Sequence, residues 1–240
     1  MDDTNFETDA GNPSRRAFIL TATSLAALTL AGCARRAPDE PRRPRLRRLR
    51  RLRERIAARP EPNLYPALLN EQFPIDAIPP GKLPKKFHRQ RVPFDTAEKP
   101  GTVIVDTGSF YLYHVEDGGT AMRYGVGLGR QGFEWSGRAR IAWKRAWPTW
   151  TPPEEMIKRE PDLAKWSAEN GGMPPGLDNP LGARALYIFQ DGKDTLYRLH
   201  GTPEIFSIGK AVSSGCVRLV NHDIIHLYDR VRPGSAIIVR

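Results

Sequence analysis

The sequence predicts a mainly β domain with a few short helices. Three observations carry this. Runs of β-branched and aromatic residues recur after Pro100, at 102–105, 110–115, 123–127, 138–143, 185–189, 196–199 and 235–239. Turn formers punctuate them, with 21 Gly and 22 Pro in 240 residues, as a strand-and-turn body requires. Helical spacing is confined to short stretches after Thr151 and after Asn221.

Taken in order, 102–105 and 110–115 flank Asp106-Thr107-Gly108-Ser109 and read as a hairpin. Asp117-Gly118-Gly119 makes the next turn, followed by strands at 123–127 and 138–143. Thr151 is expected to cap a helix, because Pro152 and Pro153 suit a first turn and Glu154 lies three residues on. That helix should end near Arg159, before Pro161, with another turn or two within 162–170. Strands at 185–189 and 196–199 surround Asp191-Gly192. Asn221 is expected to cap a helix over 222–231, whose Ile224, Leu227, Tyr228 and Val231 share one face. A strand at 235–239 follows.

The organisation upstream is read from composition. Residues 1–60 hold 14 Lys/Arg and 7 Asp/Glu, so 23 of the 37 basic and 20 of the 27 acidic residues remain for 61–240. That body is about +3 against +10 for the chain, which gives no reason to expect nucleic-acid binding. Residues 1–33 read as an export signal. Ser14-Arg15-Arg16-Ala17-Phe18-Ile19-Leu20 resembles a twin-arginine signal, and the 15-residue weakly polar run 18–32 is too short to span a bilayer. The run ends in Leu30-Ala31-Gly32-Cys33, which resembles the lipobox of bacterial lipoproteins. On that resemblance Cys33 is the lipidation site, and Ala34 after it favours the outer membrane. The alternative is an ordinary signal peptide with a chance cysteine, and both imply export.

Residues 34–60 form an Arg-rich linker. Leu46, Leu49, Leu52 and Ile56 recur every three or four positions among nine arginines from Arg42 to Arg55. A basic amphipathic helix on anionic headgroups and a solvated, self-repelling spacer are both consistent with that pattern. Residues 61–100 carry Pro66, Pro74, Pro79, Pro80, Pro84 and Pro93, so an irregular lead-in that wraps the domain is expected.

The chemistry is expected at Cys216. The chain has two cysteines, Cys33 and Cys216, and lipidation of the first leaves a single thiol in the body. Small residues flank it in Ser213-Ser214-Gly215-Cys216-Val217-Arg218, and Arg218 lends positive potential. A buried, inert cysteine fits the same composition. His200 tips the balance: it ends a strand 16 residues upstream, enough for the strand end to return beside the Cys216 turn. An imidazole there can take the thiol proton and later protonate a leaving amine.

At these residues the chain resembles the L,D-transpeptidase catalytic domain, the YkuD-like family. The resemblance rests on His200-Gly201-Thr202, Ser207-Ile208-Gly209, Ser213-Ser214-Gly215-Cys216-Val217-Arg218-Leu219 and Asp223, and covers 101–240. It implies a β-sandwich or barrel-like fold and a cysteine acyltransferase acting on peptidoglycan tetrapeptide stems. Cys216 would attack the third residue's carbonyl, D-Ala would leave, and the thioester would pass to a second stem's amine as a 3–3 cross-link. Some members use a lipoprotein, a D-amino acid or water as acceptor instead. A non-catalytic wall-binding module is the remaining alternative.

His200 is the implied base, with a backbone carbonyl near Gly201 as its possible partner in relatives. Ser213, Ser214, Gly215 and Gly201 are candidate oxyanion or substrate contacts, each oxyanion donor worth about 3–4 kcal/mol. Arg218 is a candidate for orienting the turn, for meeting a substrate carboxylate, or for a structural ion pair. Many members have histidine where this chain has Ser214. No metal or organic cofactor is expected. His222 and His226 lack a third ligand and are expected at the surface. Trp147, Trp150 and Tyr124 are candidates for the cleft or, alternatively, for the core.

Overall fold

The computed structural model describes residues 48–49, 51–52, 64–129, 136–213 and 215–240. The export signal, Cys33 and most of the Arg-rich linker lie outside them, as does Ser214. Of the linker, Arg48, Leu49, Arg51 and Leu52 are helical, the arginines exposed and the leucines half-buried.

Nine strands form one sheet: β1 (Gln90–Pro93), β2 (Val103–Asp106), β3 (Tyr111–Glu116), β4 (Thr120–Gly125), β6 (Gly137–Ala146), β7 (Arg184–Gln190), β8 (Lys193–Thr202), β10 (Val217–Val220) and β11 (Ala236–Val239). Their order is β1-β4-β3-β2-β11-β6-β7-β8-β10. A separate pair joins β5 (Leu128–Gly129) to β9 (Ala211–Ser213). The long sheet curls until its last strand, β10, reaches the segment that follows β4, where Gly127 and Arg218 exchange backbone hydrogen bonds of 2.9 and 2.8 Å. This closure gives the barrel-like body that the family resemblance implies. Inside lie Val103, Leu112, Ile141, Leu186, Leu199 and Leu219, each fully buried.

Both α-helices expected after Pro100 are present among the described residues, with different caps. α1 spans Glu154–Arg159 and is capped by Pro153 without a side-chain bond, so Thr151 is not its cap. α2 spans Asn221–Tyr228 and ends three residues before Val231, where the apolar spacing placed its end. Asn221 does not cap it either. Its Oδ1 accepts the Ala183 N–H at 3.0 Å instead, because α2 packs on β7, β8 and β10 and the amide is needed there. The strand at 236–239 is no peripheral addition: it inserts between β2, in parallel, and β6.

The proline-rich lead-in is strapped to α2. Tyr65 accepts the Arg89 N–H at 2.8 Å and donates to Asp223 at 3.2 Å, while Arg89 Nη1 pairs with Asp223 at 2.9 Å. Pro93 sits on the outermost strand, where its missing N–H costs no ladder bond. Burial drives the Asp223 carboxyl up to about 7, against the downward pull of Arg89 and Tyr65. At pH 8 the pair is therefore charged, and Asp223→Ala should leave a partly buried guanidinium without its carboxylate. The expected loss is about 3–5 kcal/mol, read from urea unfolding of both proteins at pH 8.

His222 and His226 are not surface residues. His222 is buried with Nε2 2.7 Å from the Pro66 carbonyl, and His226 Nδ1 lies 2.8 Å from the Tyr124 hydroxyl. The lead-in and β4 cover the helix faces that a short polar sequence made look exposed.

Candidate active site

β8 and β10 run parallel, with Val217 beside Leu199 and Arg218 beside His200. Side chains alternate between faces along a strand. Leu199, Val217 and Leu219 point into the core, so His200, Cys216 and Arg218 share the opposite face. The 16-residue separation closes through a crossover holding a short 3-10 turn (Ile205–Ser207) and β9, and Cys216 stands where that crossover re-enters the sheet.

His200 is buried at 4% exposure. Its Nδ1 lies 2.6 Å from the Gly201 carbonyl. A carbonyl only accepts, so in the neutral ring Nδ1 carries the hydrogen and Nε2 the lone pair. Gly201 is required by crowding: a Cβ there would stand 2.3 Å from Asn221 Oδ1. Gly201 thus serves through its carbonyl and its lack of a side chain, and is not among the residues that line the cleft.

Burial pushes the His200 imidazole down to about 4, with the Gly201 carbonyl pulling upward and the Arg218 and Arg198 cations adding to the fall. Burial pushes the Cys216 thiol up, opposed by the Arg198 main chain and the Arg198 and Arg218 guanidiniums. The resting pair at neutral pH is accordingly thiol plus neutral imidazole. Below its folded value His200 is protonated and accepts nothing, so a reaction that uses it as base is lost as pH falls through that value. The rate–pH profile should show its acid limb near pH 4 instead of near the ordinary imidazole value of about 6.5. Stopped-flow kinetics from about pH 3 to about pH 8 check it.

Arg218 takes the structural ion pair, Nη1 to Glu204 at 2.7 Å. It also lines the cleft, and its buried Nε has no hydrogen-bond partner among the described residues. Ser213 lies in β9, and Ser214 is outside the described residues. Gly215 has φ +114°, a conformation L side chains rarely adopt. Its backbone is pressed against Gly129, where a Cβ would come within 1.9 Å of the Gly215 nitrogen. Gly129 escaped the sequence reading. The small residues in Gly125-Val126-Gly127-Leu128-Gly129 were its only signal, and nothing local says what they face.

The cleft above the pair holds about 320 Å³. Trp150, Pro153 and Met156 form one wall, Pro180 and Leu181 a second, and Thr195, Leu196 and Tyr197 a third. None of the lining residues comes from the lead-in at 64–100. Of the three aromatic candidates Trp150 reaches the cleft, whereas Tyr124 and Trp147 are core. Leu196 and Tyr197 were legible only as strand. Leu196 is 77% exposed with φ +62°, held by its N–H to Asp194 Oδ1 at 2.9 Å.

The L,D-transpeptidase catalytic domain model matches residues 100–239. The chain is 34% identical over 140 residues to the probable L,D-transpeptidase YbiS of Escherichia coli (strain K12), covering 56% of this chain and 43% of that protein. It is 35% identical over 152 residues to the probable L,D-transpeptidase ErfK/SrfK of the same organism, covering 60% and 44%. The matched stretch is thus less than half the length of either relative. Among solved structures, a Brucella melitensis protein described as a probable carnitine operon oxidoreductase is 47% identical, with 62% of this chain and 91% of that chain covered and a TM-score of 0.45. An L,D-transpeptidase from Mycobacterium smegmatis is 22% identical, covering 58% of each chain at a TM-score of 0.40.

Proposed function

The chain belongs to the L,D-transpeptidase catalytic-domain family, and from that premise we propose that it is a peptidoglycan L,D-transpeptidase using Cys216 as nucleophile and His200 as base. The observation that carries this is that a half-buried thiol and a tautomer-fixed imidazole line one cleft. In the first half-reaction Sγ bonds to the carbonyl carbon of the stem's third residue and its proton passes to His200 Nε2. Backbone N–H groups of the turn ending at Cys216 receive the oxyanion. The carbon–nitrogen bond then breaks, Nε2 returns the proton to the departing D-Ala amine, and a thioester remains. In the second half-reaction a side-chain amine of another stem attacks, its proton goes to Nε2, and Sγ leaves to recover it. The product is a 3–3 cross-link.

Incubation of the purified protein with tetrapeptide muropeptides tests this. Cross-linked dimers with D-Ala release are expected. Shortened monomers alone would mean that water is the acceptor, and unchanged substrate would favour a wall-binding module. The cellular setting is part of the same proposal: export, lipid attachment at Cys33 and an outer-membrane, periplasm-facing position. Metabolic labelling with palmitate should mark the protein, and labelling that persists in Cys33→Ser would count against the anchor.

A further inference from the structure

A register-aligned row of side chains leads away from Cys216 across the outer face of the sheet. Trp143 on β6 pairs with Tyr187 on β7, and Tyr187 pairs with Arg198 on β8. Val217 pairs with Leu199, so Cys216 adjoins Arg198. The row is built and held. The Trp143 and Tyr187 rings stack with centroids 3.4 Å apart and planes 11° from parallel. The Arg198 guanidinium lies 4.4 Å from the Tyr187 centroid, and both its Nη atoms bond Asp194 at 2.7 Å. The row ends at Trp143, because β11 pairs with β6 only from Gly137 to Arg140. Trp143 is 40% exposed, an indole kept rigid by its neighbours and open to solvent. Arg145, also exposed, follows it on the same face.

Neighbouring strands lie about 4.8 Å apart, so Trp143 stands roughly 14 Å from Cys216. Three extended residues span about 10–11 Å, and the lactyl ether joining a stem to its sugar supplies most of the remainder. A donor whose third carbonyl sits at Cys216 and whose chain follows the row thus brings its first sugar to Trp143. The flat C–H face of a pyranose suits an exposed, immobilised indole, and Arg145 suits the carboxylates of the stem beside it. A single ring is too small for a protein partner, whose interface needs on the order of 1,000 Å².

We propose that the row from Cys216 through Arg198 and Tyr187 to Trp143 is a donor subsite that seats the glycan sugar of the stem being acylated. This rests on the proposed reaction at Cys216. It makes the enzyme selective for stems still attached to their glycan.

The test compares kcat/KM for a disaccharide-tetrapeptide and for the same tetrapeptide without sugar, in wild type and in Trp143→Ala. Wild type should prefer the sugar-bearing donor by about three- to tenfold, the range expected for one aromatic stacking contact, and the variant's ratio should fall to near one. A merely structural loss would lower both rates and leave the ratio in place. Equal rates in wild type, or a preference that survives the substitution, would overturn the subsite. If wild type acylates neither donor, the reaction at Cys216 fails on its own account. Calorimetric titration with a stem-free glycan oligomer then decides the subsite: binding lost in Trp143→Ala supports it, and absent or unchanged binding overturns it.

Discussion

Cys216→Ala and His200→Gln should each lower acyl transfer from tetrapeptide muropeptides by at least about a thousandfold, to the same residual rate. On the proposed mechanism the two groups act as one device. Without the sulfur there is no thioester, and His200 has no proton to take. Without the imidazole, the thiol that burial has pushed up stays protonated at neutral pH and attacks poorly. The double variant should therefore be no slower than either single one. Glutamine is chosen because it matches the imidazole's size and keeps a donor near the Gly201 carbonyl, now 2.6 Å from Nδ1. Circular dichroism should show the fold retained, since Cys216 and His200 point away from the hydrophobic core. Additive losses in the double variant would mean that the two side chains serve separate steps.

Gly129→Ala should cost about a hundredfold in kcat/KM while the protein remains folded. The added methyl would stand 1.9 Å from the Gly215 nitrogen and 2.3 Å from its Cα. Backbone cannot yield there as a flexible side chain could, so the turn that carries Cys216 must shift by an ångström or more. A misplacement of about 1 Å is enough for a loss of that order. Gly215 leaves little room for compensation, because its φ of +114° is already glycine-only and Tyr197 lies beneath it, 3.2 Å from where a Cβ would stand. The effect should fall on the acylation rate, with unfolding midpoints moving little, because Gly129 ends a two-residue strand outside the main sheet. A variant with normal acylation would show that this contact does not position the turn.

Local chemistry made much of this readable. The hairpin at 103–116 declares itself through Thr102-Val103-Ile104-Val105, a four-residue turn and Tyr111-Leu112-Tyr113. Cys216 and His200 stood out as a thiol and an imidazole 16 residues apart in family-like motifs, and the structure brings both to one cleft. What escaped depends on contacts distant in sequence. Asn221 looks like a cap until Gly182, Ala183 and Gly201 close around its amide. Gly129 is an ordinary glycine until the Cys216 turn folds onto it from 86 residues downstream. His226 reads as exposed because its partner, Tyr124, is 102 residues away. The strand at 236–239 announces its conformation but not its place, since periodicity carries no information on which strands it joins. The row from Cys216 to Trp143 is likewise a product of register, set by irregularities in β6 and β8 that no local pattern marks.

The most direct measurement is intact-protein and peptide mass spectrometry after exposure to a carbapenem, an acylating agent whose adduct on a cysteine nucleophile of this family persists. One acyl group carried on the peptide that contains Cys216 is the predicted result. Folded protein whose Cys216 peptide keeps its unmodified mass would contradict the assignment of that thiol as the nucleophile.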